Sequence, residues 1–345
     1  MKIILDAMGG DNAPLAPVDG AIQAAEKLGV EVVLTGSTEA VQSALEQLGR
    51  KELPQGVSHI PTTQVITMED NPARAFREKK DSSMTVGLQM LKDGQADAFV
   101  SAGSTGALLS AATLMVKRIR GIRRAAMCPV VPTQAGGFVL IDCGATAECT
   151  PEYLLQFAYL GNFYSKRVLG VENPRVGLLN IGAEETKGDT LRKETHALLK
   201  EAAEAGRINY IGSIEGNDAM MGGADVIVAD GFTGNVFLKS MEGAAKFMFK
   251  ELKKVFYSST KTKLGAMLIK NNLNSMKAML DPSEVGGTAF LGISKPVIKA
   301  HGSSDARAIT SAILRAKEYA ESGFIADIEA NVSAMKVERV REEKQ

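Results

Sequence analysis

The sequence lacks tryptophan and has few aromatic residues of any kind: phenylalanine, tyrosine and tryptophan together make up 5% of its 345 positions. Proteins that bind single-stranded nucleic acid or sugars by stacking need exposed aromatic rings, so this composition argues against both classes. Positive and negative charges also cancel, with 40 Lys and Arg against 40 Asp and Glu. A neutral chain has no overall attraction for nucleic acid, which is therefore not expected as a partner.

Cysteine and histidine are scarce as well, with three residues of each type. No two cysteines are spaced as Cys-x-x-Cys and the histidines are scattered, so no metal site is expected. So few cysteines suit a reducing compartment such as the cytosol. The apolar run Ile3–Leu5 is too short for a signal peptide, and no run approaches the ~18 apolar residues of a membrane span. We therefore expect a cytoplasmic protein.

Several motifs of nucleotide-binding proteins and hydrolases are absent too. The chain has no Gly-Lys pair, hence no Walker A loop, and no Gly-x-Gly-x-x-Gly motif follows a predicted strand. It also has no Gly-x-Ser-x-Gly and no His-Glu-x-x-His sequence. No cofactor is expected.

What the chain does contain is an alternation of short β-branched runs and amphipathic segments, with 34 glycines. The predicted strands are Lys2–Met8, Glu31–Gly36, Ala98–Ala102, Phe138–Cys143, Arg175–Ile181, Ile208–Ile214 and Asp225–Ala229. The predicted helices are Pro14–Leu28, Thr38–Leu48, Thr105–Arg118, Pro151–Leu169, Asp189–Ala205, Asn235–Phe256, Lys263–Leu280, Ser304–Glu321 and Ile325–Arg341. This alternation predicts an α/β fold with a doubly wound, mostly parallel sheet and helices on both faces. We expect a single α/β domain over residues 1–345, built as two lobes that share a sheet.

The segment from Lys239 to Lys277 differs from the rest of the chain in charge. It holds nine lysines, no arginine and two acids, a net charge of +7. Both of its predicted helices carry an apolar stripe, which predicts a protruding amphipathic helical hairpin over residues 239–280. Leu264, Met267 and Leu268 are placed in the connection between the helices, as an apolar tip. Such a tip favours an anionic membrane surface, whereas the stripes are interpreted as packing.

Several turns rich in small residues follow predicted strands, and they should gather at the carboxyl edge of the sheet, where ligands bind. Glycine lets backbone N–H groups approach a ligand, and a helix N-terminus favours an oxyanion. The clearest example is Ser101–Gly106, in which the candidate phosphate ligands are Gly103, Ser104, Thr105 and Gly106. For the Ser104 hydroxyl, a plain N-cap is an equally good interpretation.

Three further side chains are candidates for catalysis. Lys187 lies among glycines after a predicted strand, where its charge would meet a phosphate; a solvated loop lysine is the competing interpretation. Asn235 opens a predicted helix and is either a cap or a donor to a developing oxyanion. His301 stands at a loop-to-helix junction, where a structural histidine is the commoner case.

Six stretches of the chain carry a resemblance to a known family: Met1–Pro14, Ser101–Gly106, Asp142–Ala145, Asn180–Gly188, Asp230–Asn235 and His301–Asp305. Together they resemble the bacterial phosphate acyltransferase family, PlsX, over essentially the whole chain. The resemblance implies a fold related to isocitrate-type dehydrogenases and phosphotransacetylases. It also implies transfer of a long-chain acyl group from acyl carrier protein to inorganic phosphate, giving acyl phosphate for phospholipid synthesis. A cytoplasmic homodimer, loosely attached to the membrane, is implied as well.

The chemistry of such a transfer suits a chain without a catalytic triad. Phosphate dianion is already a nucleophile, and a thiolate leaving group with a parent pKa of ~8.5 needs no strong acid. The main tasks are then to position the phosphate and to stabilise the tetrahedral oxyanion, for which one donor is worth ~3 kcal/mol. Two alternatives stay open: a phosphotransacetylase-like enzyme that uses acyl-coenzyme A, and a non-catalytic membrane scaffold for acyl carrier protein. A decarboxylating dehydrogenase would need clustered metal-binding aspartates, which the sequence does not show.

The carrier implied by the resemblance is a small acidic protein, so a basic surface should meet it. Lys117, Arg118, Arg120, Arg123 and Arg124 place five cations within eight residues after a predicted helix. A solvated charge run at a helix C-terminus is the competing interpretation. Because acyl phosphate is destined for membrane enzymes, the downstream membrane acyltransferase is a further candidate partner.

Overall fold

The strands form two sheets with helices packed around them. A computed structural model describes residues 1–133, 136–270, 272–273 and 286–337. Within these residues the strands are β1 (Lys2–Asp6), β2 (Glu31–Gly36), β3 (Val57–Pro61), β4 (Ala98–Ser101), β5 (Ala126–Cys128), β6 (Val130–Val131), β7 (Phe138–Ile141), β8 (Arg175–Leu179), β9 (Asn209–Ile214), β10 (Val226–Val228), β11 (Thr288–Leu291) and β12 (Val297–Lys299).

The α-helices of the described residues alternate with these strands along most of the chain. They are α1 (Leu15–Leu28), α2 (Thr38–Gln47), α3 (Ala75–Glu78), α4 (Ser83–Lys92), α5 (Thr105–Ala111), α6 (Pro151–Arg167), α7 (Thr190–Glu204), α8 (Gly216–Met220), α9 (Gly231–Phe256), α10 (Thr260–Leu268), α11 (Ala306–Glu321) and α12 (Phe324–Asn331). Helix α5 continues as a π-helical turn, Ala112–Val116, and α12 as a 3-10 turn, Val332–Met335. The last predicted helix therefore changes character after Asn331, and its final residues, 338–341, lie outside the described part of the chain.

Both sheets are mostly parallel, as the sequence predicts. The seven-stranded sheet has the order β3-β2-β1-β4-β12-β11-β5, in which β11 alone runs against its neighbours. The five-stranded sheet has the order β6-β7-β10-β8-β9, in which only the edge strand β6 is antiparallel. The predicted α/β class with a mostly parallel sheet is thus confirmed.

Alternating burial along the strands explains why helices cover both faces of each sheet. On β1, Ile3 and Leu5 belong to the largest apolar cluster, whereas Ile4 belongs to a separate cluster on the other face. On β7, Ile141 joins the largest cluster and Leu140 faces a third one, next to α9. Strands buried on both faces read as continuous apolar runs, which is why these strands were recognisable in the sequence.

The prediction that two lobes share one sheet differs from this structure, because the sheet is interrupted at Pro129. The chain pairs with β11 up to Cys128 and with β7 from Val130 onward. Proline has no N–H to donate to a ladder, although its carbonyl still accepts the N–H of Leu140 over 3.1 Å. One bent segment therefore links two separate sheets.

The lysine-rich hairpin differs from the prediction in the position of its turn. Helix α9 ends at Phe256, and α10 begins after Ser259, whose side chain forms a capping box with Thr262. Leu264, Met267 and Leu268 consequently lie within α10 and not in the connection between the helices. A capping box satisfies two otherwise free N–H groups, which fixes the helix start earlier than the apolar pattern indicated. The predicted stripe residues Met276 and Leu280 lie outside the described residues.

Candidate functional site

A cavity of about 780 Å³ lies where the carboxyl ends of the parallel strands gather. Strands β1, β4 and β12 are adjacent, and the loops that follow them line the cavity around Gly9, Gly103 and His301. The β5–β6 junction and the first turns of α9 also line it. The cavity thus lies between the two sheets, at the edge where parallel α/β sheets bind ligands.

The loops after β1 and β4 approach each other too closely to admit side chains. A Cβ atom on Gly9 would lie 2.6 Å from the backbone nitrogen of Gly103 and 2.8 Å from a carboxylate oxygen of Asp6. The loop after β1 is also tied to the loop after β12, because the N–H of Asp11 donates to the carbonyl of Gly302 over 2.7 Å. The three loops therefore form one packed unit, in which glycine is required at position 9.

A row of three buried polar side chains crosses β1, β4 and β12 beneath these loops. The Ser101 hydroxyl donates to the Asp6 carboxylate over 2.7 Å and accepts the N–H of Gly103 over 3.0 Å. Lys299 pairs in register with Ser101 on the neighbouring strand. Its ammonium donates to the carbonyl of Ala102 over 3.0 Å and to the carbonyl of Ala300. The row therefore places two buried ionisable side chains, Asp6 and Lys299, next to the backbone of the Gly103 loop.

Burial shifts the pKa of both ionisable side chains in this row, Asp6 and Lys299. It raises the pKa of Asp6, against the opposing effects of its hydrogen bonds and of Lys299. It lowers the pKa of Lys299 to about 8, against the favourable charges of Asp6 and Asp11. Lys299 therefore carries its charge at neutral pH but releases its proton more readily than a surface lysine does.

The predicted phosphate ligands Gly103, Ser104, Thr105 and Gly106 all line this cavity. The Ser104 hydroxyl accepts the N–H of Ala107 over 3.4 Å, so this hydroxyl acts as the N-cap of α5. The N–H groups in the first turn of a helix have no partner within the helix. Backbone N–H groups and the Thr105 hydroxyl are therefore the donors that this loop offers to a ligand.

Asn235 also lines the cavity, but it does not cap a helix. Helix α9 begins four residues earlier, at Gly231, and its cap is Asp230, whose carboxylate accepts the N–H of Thr233 over 2.9 Å. One N–H of the Asn235 amide donates to the carbonyl of Cys143 over 3.0 Å. An amide nitrogen carries two hydrogens, so this bond orients the group and leaves its second N–H for a ligand.

The loop that contains the Cys143 carbonyl, the acceptor of the Asn235 amide, is held by hydrogen bonds to Asp142. Its fully buried carboxylate accepts backbone N–H groups from Met127, Cys143, Ala145 and Thr146 over 2.7 to 3.2 Å. Burial raises the pKa of Asp142 to about 6, although these four bonds oppose the shift. Because Met127 belongs to β5 and the other three follow β7, this carboxylate ties the two sheets together at the cavity.

His301 lines the cavity as a neutral donor. Its Nδ1 accepts the N–H of Ser303 over 3.2 Å and lies 2.8 Å from the Ser303 hydroxyl. Since a backbone N–H can only donate, Nδ1 is unprotonated and Nε2 carries the proton. Partial burial lowers the pKa of His301, and the charges of Lys299 and Lys239 lower it further. The ring therefore stays uncharged at neutral pH.

The remaining lining of the cavity is largely apolar. Its apolar members include Val65, Ile66, Met68, Leu109, Met127, Val130, Val131, Leu238 and Met241. Most pockets for small organic ligands combine such a lining with a few placed polar groups. This cavity therefore has both a polar part, at the Gly103–Gly106 loop, and an apolar surface.

Lys187 does not line this cavity. It is exposed on the loop after β8, where its carbonyl accepts the side-chain amide of Asn180 over 3.2 Å. The structure brings together the Gly103–Gly106 loop, Asn235 and His301, but leaves Lys187 apart. A catalytic role for Lys187 stays a prediction.

The arginine cluster forms a second cavity of about 920 Å³ on another surface. It is lined by Arg118, Arg120, Arg123 and Arg124, together with Tyr153, Glu329, Val332 and Lys336 among others. Arg123 lies 3.3 Å from a carboxylate oxygen of Glu152, and the Arg124 guanidinium lies 5.3 Å from the centre of the Tyr153 ring. These guanidinium groups are thus gathered on one concave, positively charged surface.

Two side chains with clear parts in the geometry were missed as site residues in the sequence. Asp142 belongs to a predicted motif but is not a predicted site residue, and Lys299 belongs to none of the predicted motifs. The signal for Lys299 was a lysine closing the short apolar run Val297–Ile298, directly before the loop that contains His301. Among the described residues, no group of three or more His, Cys, Asp or Glu side chains is placed to hold a metal ion. In the same part of the chain, no helix is long and apolar enough to cross a membrane.

Comparison with protein families and curated proteins identifies relatives along nearly the whole chain. The family model described as fatty acid synthesis protein matches residues 1–327. A protein named phosphate acyltransferase from Lysinibacillus sphaericus is 46% identical over 98% of this chain and 100% of its own length. Its namesake from Thermoanaerobacterium thermosaccharolyticum is 44% identical over 96% of this chain and 97% of its own.

Solved structures with the same fold include two acyl-transferring enzymes. A phosphotransacetylase from Streptococcus pyogenes superimposes with a TM-score of 0.63 at 17% identity, covering 93% of this chain and 94% of its own. A branched-chain phosphotransacylase from Enterococcus faecalis gives a TM-score of 0.56 at 16% identity, covering 92% of this chain and 99% of its own. At such low identity these structures show the shared fold alone.

Proposed function

The chain belongs to the fatty acid synthesis protein family, the bacterial phosphate acyltransferases, and we propose that it moves a long-chain acyl group from acyl carrier protein to inorganic phosphate. Membership makes it an acyltransferase. The observation that carries the finer proposal is the mixed lining of the 780 Å³ cavity. Phosphate needs the N–H and hydroxyl groups, and a fatty acyl chain needs the apolar surface.

In the proposed reaction, phosphate binds at the Gly103–Gly106 loop and attacks the thioester. A phosphate oxygen forms a bond to the carbonyl carbon, which gives a tetrahedral oxyanion. The carbon–sulfur bond then breaks, the thiolate takes up the proton of the phosphate, and acyl phosphate and free carrier thiol are the products. No general base is needed, because phosphate dianion attacks through an oxygen that is already deprotonated.

Asn235 and His301 are proposed to stabilise the charge that develops. The second N–H of Asn235 is assigned to the oxyanion, where one positioned donor is worth ~3 kcal/mol. The Nε2–H of neutral His301 is assigned to the oxyanion or the departing sulfur. Asp142 acts on the Asn235 amide indirectly, because it holds the loop whose Cys143 carbonyl orients that amide. Lys187 keeps a proposed part in phosphate use, from its loop at the carboxyl end of β8.

The arginine cavity is proposed as the docking surface for the carrier. Acyl carrier protein is implied by the resemblance to be small and acidic, and a concave surface with four arginines complements it. Arg120 and Arg124 are exposed, so charge attraction would act mainly on the rate of encounter. Acyl-coenzyme A, the alternative donor, would not need a protein-sized basic surface.

The exposed faces of the hairpin are proposed to meet a second copy of the chain and a membrane. Phe247, Met248 and Val255 on α9 are 66%, 56% and 59% exposed, which supports a partner subunit on that helix. Leu264, Met267 and Leu268 on α10 are 58%, 67% and 81% exposed among lysines, which supports contact with an anionic bilayer. A cytoplasmic homodimer docked in this way would release acyl phosphate next to the membrane acyltransferase proposed to consume it.

The donor is tested by supplying palmitoyl-acyl carrier protein or palmitoyl-coenzyme A with phosphate and trapping acyl phosphate with hydroxylamine. We expect hydroxamate from the carrier-bound donor, in proportion to phosphate, and at least tenfold less from the coenzyme. Preference for the coenzyme would favour the phosphotransacetylase-like alternative. Binding of the carrier without hydroxamate would favour the scaffold.

A further inference from the structure

The reaction cavity contains a cation to which the proposed mechanism gives no task. Lys299 is only 7% exposed, yet it lines the cavity together with the Gly103–Gly106 loop. Its ammonium group carries three hydrogens, of which two are donated to the carbonyls of Ala102 and Ala300. Because these carbonyls follow β4 and β12, the ammonium is fixed between the ends of these two strands with one hydrogen unassigned.

A buried ammonium is stable only with compensating charge, and the structure supplies it from β1. Asp6 lies in the same polar row, and both Asp6 and Asp11 favour the charged form of Lys299. Ser101 joins Asp6 to the N–H of Gly103, as described above. The cation and the anion-binding loop therefore belong to one hydrogen-bonded unit, built from three neighbouring strands.

Other lysines near the cavity are less suited to bind an anion. Lys239 also lines the cavity, but its ammonium lies 2.9 Å from a carboxylate oxygen of Glu242 and its side chain is 56% exposed. Lys187 lies outside the cavity. A charge shielded from water attracts an anion more strongly than an exposed, paired one. A phosphate at the Gly103–Gly106 loop would therefore meet its strongest attraction at Lys299.

We infer that Lys299 is the cation that contacts the phosphate oxygens in the reaction cavity, and that Asp6 and Ser101 are the positioning residues that hold it there. This assignment rests on the proposed function, because it presupposes phosphate as the acceptor. It makes the end of β12, and not the loop after β8, the main source of positive charge at the phosphate.

The first test compares Lys299→Met with Lys295→Met, an exposed lysine in the turn before the same strand. For Lys299→Met we expect the apparent KM for phosphate to rise about 100-fold, as for loss of a charge-assisted contact, with the KM for the acyl donor within twofold. Lys295→Met should match the parent. A phosphate KM within threefold of the parent in a folded Lys299→Met protein would overturn the assignment, as would a larger rise in Lys239→Met or Lys187→Ala.

The second test uses pH and does not depend on the methionine variant folding. The charged and titratable groups that act on Lys299 or line the cavity with it are Asp6, Asp11, His301, Lys239 and Glu242. As pH rises through about 8, Lys299 loses its proton, so the parent's phosphate KM should rise about tenfold for each further pH unit. Arginine stays charged in this range, so Lys299→Arg should show a flat phosphate KM up to pH 9.5.

The two tests separate failure of the assignment from failure of the proposed function. If the parent forms no phosphate-dependent hydroxamate, the proposed function fails and the assignment fails with it. If the parent forms hydroxamate but its phosphate KM is flat between pH 7 and 9.5, only the assignment of Lys299 is wrong. The same conclusion follows if Lys299→Arg shows the same alkaline rise as the parent.

Discussion

Replacing Asn235 with alanine tests whether this amide stabilises the tetrahedral oxyanion. The amide has two N–H groups, one donated to the carbonyl of Cys143 over 3.0 Å and one assigned to the substrate. Alanine removes both, but the two losses have different consequences. The first concerns the folded state, and the second concerns the transition state alone.

The two losses differ in size enough to be separated. Losing a neutral hydrogen bond at a partly exposed site costs about 1 kcal/mol of stability, which lowers the Tm by only about 1–2 °C in a chain of 345 residues. Losing one oxyanion donor lowers kcat by about 100- to 1000-fold. Because the donor acts in the transition state, the KM values for phosphate and acyl donor should change less than threefold.

The assay is the initial rate of hydroxamate formation at saturating and limiting phosphate, with a thermal melt of each variant. Asn217→Ala, at an exposed position on α8, is the matched control and should retain the parent kcat. A folded Asn235→Ala protein with kcat within fivefold of the parent would refute the oxyanion role. A rise in KM at unchanged kcat would instead make Asn235 a binding residue.

Three further changes test the packing of Gly9 against the Gly103 loop, the arginine surface proposed for the carrier, and the hairpin. Gly9→Ala should lower both the Tm and kcat, because its Cβ would lie 2.6 Å from the backbone nitrogen of Gly103; melting curves and turnover check this, and unchanged values would mean the loops are not tightly packed. Replacing both Arg123 and Arg124 with Glu should slow association with acyl carrier protein at least tenfold at low salt and flatten the salt dependence of the association rate. Stopped-flow measures both effects, and equal association rates in variant and parent would exclude this surface. Leu264→Glu with Leu268→Glu should abolish co-sedimentation with anionic vesicles and leave soluble turnover intact; continued sedimentation would exclude α10 as the anchor.

Matched controls come from positions where the same change meets no contact. A Cβ on Gly243 has nothing within 4 Å, so Gly243→Ala should be neutral or stabilise α9 by about 0.5–1 kcal/mol. Lys92→Glu, at the exposed end of α4, should not alter carrier association beyond a general charge effect. Leu114→Glu, at a site 51% exposed outside the hairpin, should not alter sedimentation with vesicles.

The sequence predicted the central strands well because burial on both faces leaves a continuous apolar run. It missed β3 and also the short strands β5, β6, β11 and β12, which are two to four residues long and show little periodicity. It also missed α4, whose interior Gly87 packs against the Phe99 ring, where a Cβ would lie 2.3 Å from a ring carbon. An interior glycine weakens the helical pattern, and only the tertiary contact explains it.

The sequence predicts the glycine-rich loop of the candidate site but not the buried charged side chain beside it. The Gly103–Gly106 loop carries its own signal, since glycines and hydroxyls before a helix are a local pattern. Lys299 carries only a weak signal, because a lysine is normally solvated and the Asp6 carboxylate that favours its buried charge comes from the other end of the chain. Lys187 has the more suggestive sequence neighbours, yet its loop follows a strand of the other sheet.

The identity of the acyl acceptor is tested most directly by the stoichiometry of one reaction with palmitoyl-acyl carrier protein and inorganic phosphate. Free carrier thiol and acyl phosphate are measured in parallel, the first with a thiol reagent and the second as hydroxamate. If phosphate is the acceptor, one acyl phosphate forms for each thiol released, and no thiol is released above background without phosphate. Thiol released without phosphate, or released in excess of acyl phosphate, would mean that water accepts the acyl group and would contradict phosphate as the acceptor.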